Sequence, residues 1–268
     1  MVSALASPPS PSLRKRCPET HITSSARRAL DDEINARAAP APRNGVQHVQ
    51  VVVHVVSAPG APHFTVSDSL IGKQLSVLDK DFAAAGFGFD LKAVERTQLS
   101  TLPKTADELD ALKSKLHRGN AATLNLYLMP ELKLDKTDLL GISSFPWKLA
   151  KHPKADGVSV LATTMPGGST DTYSNGGRTA THEIGHWLGL WHTFQGGCKD
   201  SDHVSDTPAM AAPARVPRPP ETTDSCRRKP GNDPVHNPMN YIADDWVREF
   251  TPQQIERMNK AWDKYRGG

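Results

Sequence analysis

Apolar and polar residues change period several times along this chain, and each change marks an element. Residues 49–56, Val-Gln-Val-Val-Val-His-Val-Val, form a near-continuous β-branched run, which predicts a buried strand. Over 65–85 the apolar residues Val66, Leu70, Ile71, Leu75, Leu78 and Phe82 recur at helical spacing, so an amphipathic helix is expected there, closed near Gly86. Residues 87–95 and 123–129 read as two further strands, with a short helix over 105–117 between them. The stretch 141–145 has the pattern of an edge strand ended by Pro146, and 157–162 that of another strand ahead of a glycine-rich approach to residue 178. A helix-compatible stretch over 25–38, which includes Glu33, is expected to pack on the main lobe. Near the C-terminus Thr251, Pro252 and Gln254 stand at the N-cap, N1 and N3 positions of a last helix, the pattern of a capping box. Strands alternating with helices predict an α+β fold with a mixed, twisted sheet backed by helices.

Composition separates the first part of the chain from the rest. Residues 1–11 are rich in Ser, Pro and Ala, and 36–44 in Ala, Pro and Arg, so both read as leader or linker. A secretory signal needs a continuous apolar core of about 7–15 residues. Val2 to Ala6 is too short for one, which leaves open a signal already removed, unconventional export, or a protein that stays inside. The organisation expected is a leader over 1–44 and one domain over 45–268, the latter divided into an upper part, 45–192, and a lower part, 193–268. With 268 residues and 37% apolar content the chain is long enough for one sizeable domain or two small lobes around a cleft. Its 32 basic and 29 acidic residues leave a charge of +3, too mild to argue for nucleic acid or an anionic membrane as partner. No apolar run has the length of a transmembrane helix. A monomer without nucleic-acid or membrane partners is expected.

The candidate chemistry lies in 182–192, His-Glu-Ile-Gly-His-Trp-Leu-Gly-Leu-Trp-His. On a helix His182 and His186 are four residues apart, so both imidazoles leave the same face and can share a metal ion. Glu183 is rotated about 100° from His182, away from a ligand position but within reach of a water on the same metal, the place of a general base. Gly189 supplies the positive φ that would end the helix and bring His192 to the metal from another direction. Three neutral imidazoles with one open position make a catalytic zinc site, whereas a structural site is closed by four ligands and is usually rich in cysteine. The competing reading, ordinary histidines that happen to align, needs all five fixed positions to coincide.

With these residues in view the chain resembles the metzincin zinc peptidases, whose signature H-E-x-x-H-x-x-G-x-x-H is followed by a methionine turn. Asn237-Pro238-Met239-Asn240-Tyr241 fits that turn. Within the metzincins the chain is most similar to the pappalysin group, in particular its short secreted microbial and fungal members. The likeness runs through Gly177-Arg178-Thr179 before the histidines, Thr193-Phe194-Gln195-Gly196-Gly197-Cys198 after them, and Val204-Ser205-Asp206-Thr207-Pro208. It also includes Leu124-Asn125-Leu126-Tyr127, Gly141 to Pro146, and Phe250-Thr251-Pro252-Gln253-Gln254, so that most of the chain after about residue 45 is covered.

The resemblance implies roles that spacing alone does not. Met239 would form an apolar floor under the zinc ligands, and Tyr241 would donate its hydroxyl to the developing oxyanion. Cys198 and Cys226 would pair and staple a loop rich in Pro, Asp and Ser. A second bridge of the relatives is missing, since Trp246 stands where its cysteine would be, and Asn240 replaces their aspartate. The edge strand from Gly141 through Ile142, Ser143 and Ser144 would bind substrate by β-augmentation. Asp245 would sit at the base of the S1′ pocket and select Arg or Lys; the alternative is a solvated acid beside Asp244. Asp200, Asp202, Asp206 and Thr207 would offer hard oxygens to calcium, or be an ordinary solvated acidic loop. Cys17, within Arg14-Lys15-Arg16-Cys17-Pro18, is either an unpaired thiol or a cysteine switch whose thiolate closes the open zinc position.

The function expected is a secreted zinc endopeptidase acting on protein or peptide substrates, latent until its leader is removed. Two rivals stay open. One is an inactive or permanently latent zinc-binding interaction protein with the same fold; the other is a zinc hydrolase of non-peptide amides, against which the edge strand argues.

Overall fold

The computed structural model describes residues 22–37, 45–62, 65–171 and 173–267. The valine-rich strand β1 (Gln47–Ser57) lies inside a mixed sheet, which explains why its apolar run does not alternate. It pairs in parallel with β2 (Phe87–Gln98) on one side and with β3 (Thr123–Met129) on the other. Short strands β4 (Lys133–Leu134) and β5 (Thr137–Asp138) form a separate hairpin. Strand β6 (Gly141–Ser143) runs antiparallel to β7 (Val158–Leu161), which in turn pairs in parallel with β3. The sheet order is therefore β2-β1-β3-β7-β6, and β6 is an outer strand.

Parallel neighbours need crossovers, and two helices supply them. Helix α2 (Asp68–Phe82) connects β1 to β2, and α3 (Ala106–Leu116) connects β2 to β3. Ser67 caps α2 by accepting from the Leu70 amide, which starts the helix later than the expected residue 65. At its other end the chain tightens into a 3-10 turn at Ala83–Ala85 and reverses at Gly86, φ +76°. Val49, Val51 and Val53 meet Ile71, Leu78 and Phe82 of α2 on one sheet face. Val56, Tyr127 and Met129 meet Leu109 and Leu112 of α3 on the other. Strand β2 runs three residues past the expected end because its polar outer half, Arg96-Thr97-Gln98, is held by pairing with β1 and not by burial. The edge strand is shorter than expected. Phe145 leaves the sheet to stack on Trp147, ring centroids 4.6 Å apart, as a 3-10 turn begins at Pro146.

Three further helices follow the sheet in the chain, α4 (Arg178–Trp187), the single turn α5 (Gly197–Asp200) and α6 (Pro252–Tyr265), and α4 packs against α2, β6 and β7. Thr251 and Gln254 form the expected capping box on α6. A helix also forms near the N-terminus, α1 (Ser24–Asn35), capped by Thr23. It packs on α6 with Arg27, Asp31 and Ile34 buried. Among the described residues no helix is long and apolar enough to cross a membrane.

Candidate active site

Helix α4 carries the first part of the site and is buried from Thr179 to Trp187. Its start is fixed by Gly177, φ +86°, and by Arg178, which donates to Asp81 and to the carbonyls of Asp244 and Val247. Thr181 donates to the same Asp81. After Trp187 the helix stops, and Gly189, φ +94°, reverses the chain so that His192 returns toward His182 and His186. The ligand atoms of the three histidines lie within 4.8 Å of one another.

The second ring nitrogens decide which atoms face the centre. His182 Nδ1 donates to the Pro238 carbonyl at 2.7 Å and His186 Nδ1 to the Leu190 carbonyl at 2.7 Å. His192 Nδ1 lies 3.4 Å from Gln195 Oε1. These partners leave each Nε2 for the centre, the outer-shell arrangement that orients ligating imidazoles. Four-coordinate zinc with Zn–N bonds of about 2.0–2.1 Å holds its nitrogens about 3.3 Å apart. The His186 and His192 Nε2 atoms, 3.1 Å apart, fit that ion. Burial pushes the His186 imidazole down to about 4 and His192 well below its ordinary range. Both rings are therefore neutral, the form that ligates a metal.

Glu183 is fully buried beside these rings, and its position depends on β6. A Cβ on Gly141 would lie 2.5 Å from Glu183 Cγ and 2.7 Å from Oε1, so only glycine lets the strand backbone press on the carboxylate. Met239 makes a similar close contact below the helix: a Cβ on Gly185 would lie 2.4 Å from its sulfur. The turn that holds Met239 rides on α6. Asn237 accepts from the Met239 amide, and the Asn237 and Gln254 side-chain amides pair in both directions at 2.8 and 3.1 Å. Tyr241 presents its hydroxyl 3.3 Å from His192 Nε2. Asn240 accepts from the Tyr241 amide at 2.8 Å.

The loop between these parts carries the expected disulfide, and several of its acidic residues are engaged within the fold. Cys198 and Cys226 are joined, with their Cα atoms 5.5 Å apart. Asp206 is engaged at both oxygens, by Thr251 Oγ1 at 2.6 Å and by the Gln253 amide at 2.9 Å, because the start of α6 needs acceptors. Asp200 is held by Arg27, Arg28 and His203. Only Asp202 and Thr207, of the four residues expected to hold calcium, stay clear of such cap and ion-pair duties. Asp245 is exposed and held by Arg218 through both carboxylate oxygens, so its charge is already matched. Cys17 and its neighbours lie outside the described residues.

Burial raises the Asp202 carboxyl to about 7, against the lowering effect of the Val204 amide, Arg257 and Thr207. An unfolded aspartate ionises near 3.9. Between these values the folded chain keeps a proton that the unfolded chain has lost, so stability falls as pH rises from about 4 to about 7 and then levels. Asp202→Asn should remove that fall. Urea melts from pH 4 to 8 check it, with a midpoint difference between variant and unchanged chain that widens in favour of Asn across that window.

Two site residues gave no clear sign in the sequence: Asp81, and Gln254 as partner of the methionine turn. The buried charges Arg27 and Asp31 had a signal: with Ile34 they fall on one stripe of a helix, and charges on an apolar stripe mark buried ion pairs, here to Asp200 and Arg257.

A family profile for pregnancy-associated plasma protein-A peptidases matches residues 110–263. The chain is 38% identical to an extracellular metalloprotease of Colletotrichum graminicola over 251 residues, 92% of this chain and 87% of that protein. It is 42% identical over 224 residues to an extracellular metalloprotease of Neurospora crassa, covering 82% and 76% of the two. Among solved structures, a mutant of Tannerella forsythia promirolysin superposes with a TM-score of 0.74 at 28% identity, covering 91% of this chain and 89% of that one. Mature mirolysin of the same organism, in complex with a cleaved peptide, gives 0.67 at 28% identity, covering 81% and 92%.

Proposed function

The chain belongs to the pappalysin family of zinc metalloendopeptidases, with their α+β metzincin fold, and from that premise we propose an extracellular enzyme whose zinc is held by His182, His186 and His192. The observation that carries the assignment is the convergence of three buried Nε2 atoms, two of them oriented by carbonyls on the far side of the ring, beside a buried Glu183. Zinc at such a centre lowers the pKa of water and polarises a carbonyl. Glu183 would take the proton from the attacking water and pass it to the leaving amine. The Tyr241 hydroxyl would donate to the oxyanion of the tetrahedral species. Gly141 to Ser144 would hold protein or peptide substrates by main-chain hydrogen bonds along the outer edge of the sheet.

Gly141 then affects rate through Glu183. Gly141→Ala should lower kcat about 10–100-fold with zinc content unchanged, because the added methyl must displace the carboxylate and a shift near 1 Å costs about that much. Steady-state kinetics on a casein-derived peptide check this. A preference for Arg or Lys after the scissile bond belongs to the same proposal, with substrate competing against Arg218 for Asp245. Asp245→Asn should flatten that preference in a mixed peptide library.

Latency through Cys17 and calcium at Asp202 and Thr207 complete the reading. Calcium would hold Asp202 ionised, and a melting temperature that added calcium leaves unmoved removes that part. The main test is zinc content and casein cleavage by the full chain and by Cys17→Ala. Expected are about one zinc per chain, cleavage lost to a chelator and restored by zinc, and higher activity in the variant. Bound zinc without cleavage in Cys17→Ala would sink the peptidase reading and favour a metal-stabilised interaction protein.

A further inference from the structure

Lys113 of α3 is a buried cation that the catalytic sequence above does not use. Its Nζ donates to Ser144 Oγ at 3.0 Å and to the Gly157 carbonyl at 3.1 Å. The Ser144 amide donates to that same carbonyl at 3.1 Å, and Ser144 Oγ donates to the Ala155 carbonyl at 2.9 Å. Burial pushes the ammonium down to about 8, against Asp156 and Asp110, so it is still a cation at neutral pH and its bonds are charge-assisted. These bonds go to neutral oxygens, so the buried charge costs the fold stability that no ion pair returns. What the lysine holds is the end of β6.

The main-chain groups of successive strand residues point to opposite sides. The Leu140 carbonyl accepts from the Leu161 amide and the Ser144 amide donates to Gly157, so Leu140, Ile142 and Ser144 turn toward β7. Gly141 and Ser143 therefore turn their amides and carbonyls to the open edge, Gly141 beside Glu183 and Ser143 two residues further along. Ser143 is the last such position, because Phe145 leaves the sheet. On the α3 side the strand end borders a cavity of about 660 Å³ lined by Lys113, Ile142, Ser143, Ser144, Trp147 and Lys148, so packing alone does not fix it.

We propose that Lys113 is a positioning residue for substrate: through Ser144 it holds the main-chain groups of Ser143 at the open edge, where they pair with an extended peptide beyond the residues at the scissile bond. The inference rests on the edge-strand part of the proposed function. Gly141 is set by its contact with Glu183 and α4, so losing the lysine should loosen the far end of the strand and leave the catalytic end in place.

The test compares Lys113→Met and Ser144→Ala, each in the full chain carrying Cys17→Ala as reference, on peptides lengthened one residue at a time on either side of one scissile bond. For the reference, kcat/KM should rise about tenfold at the residue that reaches Ser143, the worth of one or two main-chain hydrogen bonds. Lys113→Met should remove most of that rise through KM, with kcat on the shortest cleaved peptide within about twofold of the reference. Ser144→Ala leaves Lys113 its bond to Gly157 and should lose part of the rise; it decides the matter if Lys113→Met does not fold. A merely structural lysine would lower turnover of short and long peptides alike. That result, a rise kept whole in the folded variants, or no rise in the reference would overturn the proposal. Dissociation constants of the same peptides for Glu183→Ala, with and without Lys113→Met, give the length dependence free of turnover. A reference chain that cleaves no peptide would sink the peptidase reading, while these constants would still judge Lys113.

Discussion

Glu183→Ala should bind zinc as the unchanged chain does and lose about 10²–10⁴-fold in kcat, the range ascribed to one positioned acid–base group. The separation of the two effects follows from the helix. His182 and His186 share a face and are anchored through their Nδ1 atoms to Pro238 and Leu190, neither of which involves the glutamate. Glu183 is rotated about 100° from His182, so its removal leaves the ligand set intact. Thermal melts separate a loss of chemistry from a loss of fold, since Glu183 is fully buried within α4. Metal analysis, thermal melts and single-turnover cleavage of a casein peptide together make the check. A kcat within tenfold of the unchanged chain would move the base elsewhere, and lost zinc would make Glu183 part of the ligand scaffold.

The histidine cluster was legible because its residues stand at fixed short spacings on one helix and one turn. Spacing also exposed the capping box at Thr251 and the run that became β1. What spacing does not encode is the partner a residue meets after a long excursion. Asp31 and Trp191 are 160 positions apart, and neither shows locally that it needs the other. Gly141 reads locally as the start of an edge strand, and only the packing of β6 on α4 shows that its missing side chain makes room for Glu183. Acidic residues are ambiguous for a related reason. Asp206 looks like a metal ligand by type, yet the unsatisfied amides and hydroxyl at the start of α6 are nearer and claim both its oxygens. Asp245 shows the same limit: Arg218, 27 positions away, matches its charge, and nothing local in the sequence announces that pair. Leader composition likewise extends over 36–44 and hides the amphipathic stripe of α1, whose burial comes from α6 at the other end of the chain.

A second large effect is expected in stability and away from the chemistry. Asp156, just before β7, accepts from the Trp187 indole at 2.9 Å and from both terminal nitrogens of Arg266 at 2.9 and 3.1 Å. Arg266 is 0% exposed, lies 3.6 Å above the Trp187 ring, and donates to the Trp187 and Ala121 carbonyls. Burial lowers the Arg266 pKa, while Asp156 opposes that by favouring the cation. Asp156→Ala would leave this cation buried without a counter-charge, a change that costs about 3–5 kcal/mol. At roughly 2–4 °C per kcal/mol for a chain of this size, the melting temperature should fall by about 10 °C. The exposed pair Lys133 and Asp138, 48% and 61% accessible, is the control: Asp138→Ala should cost about 0–1 kcal/mol. Replacing both partners, Asp156→Ala with Arg266→Met, should recover much of the loss, since no charge then stays buried alone. Differential scanning calorimetry of the four chains distinguishes these outcomes. Trp187 follows His186 directly, yet among the described residues the hydrogen bonds of Asp156 go to the Trp187 indole and to Arg266, away from the histidine cluster. Turnover at 25 °C should therefore stay within a few-fold while stability drops, and a large fall in kcat with unchanged melting would instead make Asp156 a positioning residue of the active-site helix.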